Sequence, residues 1–346
     1  MKLSYHSPIP NTFGLAVRAA CLLEYDSAAE LETLLCDAGL ALPLPLFQMG
    51  GGSNLLFSGD FPGTILHSRI DFMEAGEPSG DGTVVVRVGS GVVWDRFCAW
   101  AAENGWWGPE NLSAIPGEVG AAPVQNVGAY GREAKDIIEA VECLELSSRQ
   151  SVVIPVTECE YGYRWSRFKG EWKGRFVVTA VRFRLWTKPH PELEYGHVRE
   201  ALIARYGTDA GLTPAQVREV IIAIRDGKLP DPAVTGSAGS FFRNPFVLPA
   251  QYDHVAAVAE REGYGEVPHF VMEDGTVKIP AAWLIEKCGW KGYREGNVGV
   301  YERQPLVLVN ATGAARPSEI LALRDKIIGS VQARFGVLLS PEVEII

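Results

Sequence analysis

Residues 111–131 read Asn-Leu-Ser-Ala-Ile-Pro-Gly-Glu-Val-Gly-Ala-Ala-Pro-Val-Gln-Asn-Val-Gly-Ala-Tyr-Gly. Pro116, Pro123, Gly117, Gly120, Gly128 and Gly131 interrupt any helical or alternating pattern, so this run must be built from turns. Long irregular connections are uncommon in compact domains unless they carry function. Small residues let backbone approach a flat ring system closely, and Gln125 and Asn126 supply amides for ring heteroatoms. An irregular loop with several turns is the plainer alternative, and the residues alone leave both open.

The flanks of the run set the fold class. Val84-Val85-Val86-Arg87-Val88 is a buried-strand pattern, and strands are expected again over 140–146 and 176–185. In the last, Val181, Phe183 and Leu185 alternate with Arg182 and Arg184, as on a sheet with one covered face. A helix is expected over 27–39, with Ser27 as N-cap, Leu31, Leu34 and Leu35 on one face, and Gly39 as its stop. A second is expected over 92–104, ended by Gly105. Thr213-Pro214 opens a third, with Val217, Val220, Ile221 and Ile224 on one face and Gly227 closing it. The last spans 317–335, with Ile320, Leu323, Ile327, Val331 and Phe335 inward and Gly336 as its stop. Strands and helices do not alternate regularly, so the class is α+β, short mixed strands with helices packed on them. Leu229-Pro230-Asp231-Pro232 reads as an extended linker, and a domain boundary is placed near residue 226.

At 346 residues the chain exceeds the ~250–300 residues at which single cores stop growing, so two or three domains are expected. A net charge of −10 argues against a nucleic-acid partner, which demands a basic surface, but not against small phosphorylated ligands, which need only local cations and amides. Cys21, Cys36, Cys98, Cys143, Cys159 and Cys288 are scattered, with no Cys-x-x-Cys pair and no histidine at zinc-ligand spacing; reduced thiols and no metal are expected. The first residues lack the apolar core of a secretory signal, and no run of roughly 18 apolar residues suits a bilayer. A cytoplasmic protein without membrane partners is the expectation.

Four further segments carry chemistry. Gly50-Gly51-Gly52-Ser53-Asn54 can turn sharply and expose backbone amides to a pyrophosphate, or can be a tight hairpin turn. No helix follows it and no Gly-Lys-Ser/Thr is present, which excludes the Rossmann and Walker loops. Tyr161-Gly162-Tyr163-Arg164-Trp165-Ser166-Arg167-Phe168-Lys169 interleaves cations and aromatics, and Arg164 has the planar fork that grips a carboxylate; a solvated basic turn is the alternative. In Gly236-Ser237-Ala238-Gly239-Ser240-Phe241-Phe242-Arg243-Asn244-Pro245, Ser240 is either a reactive hydroxyl or a turn cap. In the tail Ser340-Pro341-Glu342-Val343-Glu344-Ile345-Ile346, a strand would place Val343 and Ile345 on one face and Glu342, Glu344 and Ile346 on the other.

Taken in order, these segments resemble the UDP-N-acetylenolpyruvoylglucosamine reductase family. The most specific matches are Ile-Pro-Gly-x-Val-Gly with Gln-Asn-x-Gly-Ala-Tyr-Gly at 115–131, Gly-Tyr-Arg at 162–164, and Gly-Ser-Phe-Phe-x-Asn-Pro at 239–245; Pro341-Glu342-Val343 closes the likeness. Tyr195-Gly196-His197-Val198 and the residues around 188–212 look like the longer form of that family.

The resemblance implies a two-part FAD-binding fold of the p-cresol methylhydroxylase/vanillyl-alcohol oxidase type, over 1–68 and 69–225. It further implies a substrate-binding α+β domain over 226–325 and a C-terminal piece, 326–346, that carries Glu342. It implies non-covalent FAD, NADPH as hydride donor, UDP-N-acetylglucosamine enolpyruvate as substrate, and a monomer. Flavin contacts fall on Gly50, Gly51, Gly52, Ser53, Asn54, Ile115, Pro116, Gly117, Gly120, Ala121, Gln125, Asn126, Gly128, Ala129, Tyr130 and Gly131. The family's catalytic positions match Arg164, Ser240 and Glu342: a cation at the substrate carboxylate, a proton donor to carbon, and a hydrogen-bond donor that acts in its protonated form. Substrate contacts fall on Tyr195, Lys228 and Asn244, with Lys278 and Lys291 toward the diphosphate. Two positions depart from the pattern. Phe270, before Asp274-Gly275-Thr276-Val277-Lys278, stands where the longer form can carry a mobile tyrosine, and Glu118 stands where a small residue is frequent. Another FAD oxidoreductase of the same fold, or a non-catalytic UDP-sugar sensor, is the alternative.

Overall fold

The computed structural model describes residues 2–37, 39–195 and 197–346. The chain divides into two compact units. The first comprises Met1–Ser7, Arg18–Gly51 and Phe61–Arg225, and the second Pro8–Val17, Gly52–Asp60 and Asp226–Ile346.

The first unit holds two sheets. Strands Lys2–Pro8, Arg18–Tyr25, Phe61–Ser68 and Leu46–Met49 lie side by side in that order, the last three mutually parallel. The second sheet is antiparallel, in the order Ser151–Pro155, Ile138–Glu145, Phe176–Trp186, Thr83–Gly89 and Met73–Ala75. Its covered face carries the alternation expected from sequence: Val84, Val86 and Val88 on one strand, and Val181, Phe183 and Leu185 on its neighbour, are fully buried. They pack against helix Trp94–Glu103, which contributes Trp94, Phe97, Cys98 and Ala101; the Phe97 and Phe183 rings stack with centroids 4.5 Å apart. Burying each such side chain contributes about 1.5–3 kcal/mol. Helices Val198–Tyr206 and Pro214–Lys228 form a satellite cluster with Trp107 and Leu193, through Val198, Leu202, Val217, Val220 and Ile221.

The second unit is built on the sheet Gly236–Ser240, Val307–Asn310, Val298–Val300, Arg294–Glu295, all neighbours antiparallel. Helix Pro317–Phe335 packs on its two central strands, and Ile320, Leu323, Ile327, Val331 and Phe335 are all buried, at the spacing the sequence shows. A small sheet of Phe246–Val247, Val277–Lys278 and Phe270–Val271 stands beside helices Pro249–Arg261 and Ala281–Lys287 in sequence. Among the described residues, no helix is long and apolar enough to cross a membrane.

Three local expectations need correction. The first helix is Ala28–Cys36, capped by Ser27 as expected, but it ends before Gly39: Asp37 leaves helical geometry, and its carboxylate accepts from the Gly39 amide at 2.8 Å. Gly227 does not close its helix, which runs to Lys228 and stops where the next residue precedes Pro230, a position that disfavours helical backbone. The tail strand is only Glu344–Ile345, so it does not extend back over Glu342 and Val343.

Candidate active site

In the first unit the run 111–131 is a chain of turns, as its composition requires: short 3-10 turns at Glu110–Leu112 and Val119–Ala121, helix Ala122–Gln125, and a small hairpin of Gly128–Ala129 against Arg132–Glu133. It is fastened to the loop before helix Trp94–Glu103. Trp94 N–H donates to the Gly117 carbonyl, Val119 N–H to Val92, and Gly120 N–H to Ser90. A Cβ on Gly120 would lie 2.7 Å from the Ser90 Cβ, so only glycine allows this approach. Ile115 packs on the core of the unit. Four residues in or around this region, Ala114, Asn126, Tyr130 and Arg164, hold left-handed backbone without being glycine. Such conformations persist only where surrounding structure over-determines them, and they collect at functional sites.

Gly50 and Gly51 end one segment of the first unit. A Cβ at Gly51 would meet nothing within 4 Å, so one side of the turn is open, which suits a phosphate-bearing ligand. Gly50 is different: a Cβ there would lie 3.2 Å from the Glu118 side chain. Glu118 accepts from His67 Nε2 at 2.9 Å, and both side chains are nearly enclosed. His67 Nδ1 in turn faces Glu24 at 3.9 Å, and Glu24 is paired with Arg69 and Lys2. The departure at Glu118 therefore places a carboxylate beside the glycine turn, hydrogen-bonded to a buried histidine. The signal for it was a lone His67 directly after the apolar pair Ile65-Leu66 in the strand Phe61–Ser68.

Arg164 lies on a turn closed by reciprocal Gly162–Trp165 backbone bonds of 3.1 Å, and its guanidinium Nη2 donates to the Gly128 carbonyl at 2.7 Å. A Cβ on Gly128 would lie 2.8 Å from the other guanidinium nitrogen and 3.0 Å from the Arg132 carbonyl oxygen, so a larger residue here would push on the Arg164 side chain. The structure thus joins Arg164 to the small-residue segment. Gly131 similarly meets Tyr195: a Cβ on Gly131 would lie 3.3 Å from the Tyr195 Cβ, and Tyr195 is half exposed. Gly196, named with it, lies outside the described residues. Asn111 is buried, and its amide donates to the carbonyls of Tyr130 and Glu192, tying the Tyr195 segment to the run. Asn126 is fully buried, and its side chain bonds Glu133, the Gly162 carbonyl and the Lys135 amide. That amide was expected to serve a cofactor.

Two carboxylates that sequence reasoning missed support the same run. Asp95 accepts from the Ala114 amide and, bidentately, from Arg218 at 2.6 and 2.7 Å. Burial pushes its carboxyl up, but Arg218 and the amide outweigh that and hold it below the ordinary range. Glu110 is completely buried, accepts from the Gly108 amide, and among the described residues finds no partner for its other oxygen. Burial pushes its carboxyl up to about 7.

The second unit holds Ser240 and Glu342. Strand Gly236–Ser240 pairs Ser237 with Val309 and Ser240 with Val307, so an irregularity falls between them, with Gly239 at φ +69. A glycine bulge of this kind re-aims the next side chain. Phe241 and Phe242 then plunge into the core. The Phe241 carbonyl accepts from the Glu342 amide at 2.8 Å, the Arg243 amide donates to Ser340 at 3.0 Å, and Phe242 bridges Pro341. On its other side the tail meets the end of the glycine segment: Glu344 N–H donates to the Asn54 carbonyl at 3.1 Å, and Asn54 Nδ2 to the Glu342 carbonyl at 3.4 Å. Gly52, at φ +66, accepts from the Thr12 amide, and Ser53 follows it. Three segments far apart in sequence are thereby brought together around Glu342, which is partly buried.

The remaining substrate candidates lie on several elements of the chain. Asn244 accepts from the Ala281 amide at 2.9 Å, leaving its NH₂ group to other partners. Lys278 lies directly across from Phe246 on one side and Phe270 on the other, and both rings are exposed. Phe270 is therefore a strand neighbour of Lys278. Lys291 pairs with Glu286, and Lys228 is exposed at the end of its helix.

The glycine turn with its open side and the tightly drawn small-residue run fit a flavin dinucleotide, and similarity to known proteins agrees. The profile of an FAD binding domain matches residues 19–148, and that of the C-terminal domain of UDP-N-acetylenolpyruvoylglucosamine reductase matches 231–346. The UDP-N-acetylenolpyruvoylglucosamine reductase of Bacteroides fragilis (strain YCH46) is 47% identical over 346 residues, covering 100% of both chains. That of Chromobacterium violaceum is 45% identical over 337 residues, covering 96% of this chain and 95% of its own. The crystal structure of UDP-N-acetylenolpyruvylglucosamine reductase (MurB) from Thermus caldophilus superposes with a TM-score of 0.65 at 23% identity, over 99% of this chain and 98% of that one. A 6-hydroxy-D-nicotine oxidase from Arthrobacter nicotinovorans shares the fold more loosely, with a TM-score of 0.51 at 15% identity, over 97% of this chain and 86% of that one. On full-length identity to these reductases, the chain belongs to the UDP-N-acetylenolpyruvoylglucosamine reductase family.

Proposed function

We propose that this protein reduces UDP-N-acetylglucosamine enolpyruvate to UDP-N-acetylmuramate, a step of peptidoglycan precursor synthesis, with bound FAD and with NADPH as the hydride donor. The observation that carries the assignment of residues is the Arg164–Gly128 bond, which sets the only family-matched guanidinium against the small-residue run of the FAD-binding domain. In this reading the first unit holds FAD through 50–51 and 115–131, and the second binds the UDP-sugar. Bound FAD supplies the hydride that is added to the terminal enolpyruvyl carbon. Addition of hydride to this carbon drives an electron pair toward the substrate carboxylate, where charge must be stabilised. Arg164 meets that charge with its planar cation, and Glu342 donates a hydrogen bond to it. Ser240 delivers a proton from its hydroxyl to the adjacent carbon, so that one hydride and one proton complete the saturated product.

The test uses the two half-reactions. The purified protein is expected to be yellow, acid precipitation to release its FAD into the supernatant, NADPH to bleach it without oxygen, and added UDP-N-acetylglucosamine enolpyruvate to restore the colour. A flavin that NADPH does not bleach removes the donor, and one that this substrate leaves bleached removes the reaction.

A further inference from the structure

Arg164 has an unusual requirement. Its charge sits at the end of a long side chain, and its backbone is left-handed at φ 55, which costs an ordinary L-residue about 1–2 kcal/mol. Something must hold that turn in place. Two buried side chains do so, one on each flank. Asn126 Nδ2 donates to the Gly162 carbonyl at 3.0 Å, before Arg164, and Ser166 Oγ donates to the Val124 carbonyl at 2.5 Å, after it. Both residues are 0% exposed. Asn126 does more. At φ 50 it caps helix Ala122–Gln125 and turns the chain toward Gly128, the carbonyl that the Arg164 guanidinium grips. Its two amide protons go to Gly162 and to Glu133 at 2.9 Å, and its oxygen accepts from Lys135 N–H at 3.0 Å. An amide has only two protons to donate, so no donor remains for a flavin.

We infer that Asn126, assisted by Ser166, is a positioning residue that sets the guanidinium of Arg164 for the substrate carboxylate, rather than a cofactor contact. The inference rests on the reading that Arg164 receives that carboxylate. Displacing a reacting group by about 1 Å can cost ~10²-fold, while one neutral hydrogen bond alone is worth about 10-fold or less. Loss of the Asn126 amide is therefore expected to slow the substrate step by ~10–10²-fold.

The experiment is a double-mutant cycle on the FAD-loaded enzyme, with each half-reaction followed separately by stopped flow. Asn126→Gly keeps the left-handed backbone while deleting the amide. It is expected to retain FAD and to be reduced by NADPH at close to the normal rate, with reoxidation by UDP-N-acetylglucosamine enolpyruvate ~10–10²-fold slower. Arg164→Lys is expected to slow reoxidation more. If Asn126 acts through Arg164, the double variant is no slower than Arg164→Lys alone. Full additivity, equal slowing of both half-reactions, normal reoxidation in Asn126→Gly, or loss of FAD from it would each overturn the inference. Normal reoxidation in Arg164→Lys would overturn the assignment of Arg164 itself, and the inference with it. Ser166→Ala, which removes the second tie without touching the left-handed residue, provides the same cycle should Asn126→Gly not fold; additivity there overturns the inference equally.

Discussion

The turn carrying Arg164 and the strand carrying Ser240 solve the same problem in different ways. Arg164 is held by side chains: buried amide and hydroxyl groups of Asn126 and Ser166 reach across to backbone carbonyls of other segments. Ser240 and Glu342 are held by main chain: a bulge at Gly239, the Phe241–Glu342 bond, and the tail laid between Phe241 and Asn54. Side-chain ties can be deleted one at a time by substitution, whereas a backbone ladder survives most substitutions and fails only where dihedral geometry is special. The first region is thus the more exposed to point mutation, and the second the more dependent on one glycine.

The largest effect expected in the main-chain region is chemical rather than structural. Ser240→Ala leaves the ladder intact, so FAD binding and reduction by NADPH are expected to stay near normal while reoxidation by substrate slows ~10²–10⁴-fold, the usual contribution of a general acid. Ser240→Cys, with a more acidic proton and similar size, is expected to keep much more activity. Equal slowing of both half-reactions in Ser240→Ala would make the serine a structural residue and blur the contrast between the regions.

Next in size is a stability effect beneath the side-chain region. Glu110 is buried with its carboxyl raised to about 7, from 4.5. The folded protein therefore holds a proton that the unfolded chain releases across this window. Its contribution is fully present below about 4.5 and is lost as pH rises through about 7. Glu110→Gln keeps an acceptor for the Gly108 amide and carries no charge. Above pH 7 it is expected to stabilise the first unit by on the order of 3 kcal/mol and to flatten the fall in thermal midpoint between about pH 4.5 and 7. A midpoint that still falls as steeply in the variant would assign that slope to other groups.

The smallest effect tests the glycine. A Cβ at Gly239 would meet nothing within 4 Å, yet its φ is +69. Gly239→Ala is expected to cost about 1 kcal/mol through backbone strain alone, seen as a modest drop in thermal midpoint, and to slow reoxidation more than reduction because Ser240 is re-aimed. A variant as stable and as active as the parent would show that the bulge does not depend on glycine.

Much of this was legible in the residues. The inward face of helix Pro317–Phe335 and the alternation of Val181, Phe183 and Leu185 were readable because periodicity is a local property that burial then obeys. The small-residue run had to be turns, since proline and glycine forbid anything else. The matched motifs named the family that full-length identity bears out. Helix ends were read less well, because Gly39 and Gly227 gave false stops where Asp37 and Pro230 decide.

What the sequence by itself determined, then, is which segments form which elements and which segments carry chemistry, because both follow from neighbours within a few turns of chain. What only the tertiary structure decided is which partners each polar side chain finds. Asn126 stands in the motif matched to the flavin, and its partner Gly162 lies 36 residues away; Glu118 finds His67, 51 residues before it; and Asn54 reaches the Glu342 carbonyl across 288. A buried donor or acceptor must find a partner wherever the fold offers one, and no local pattern in the chain specifies a bond between residues that only folding makes neighbours.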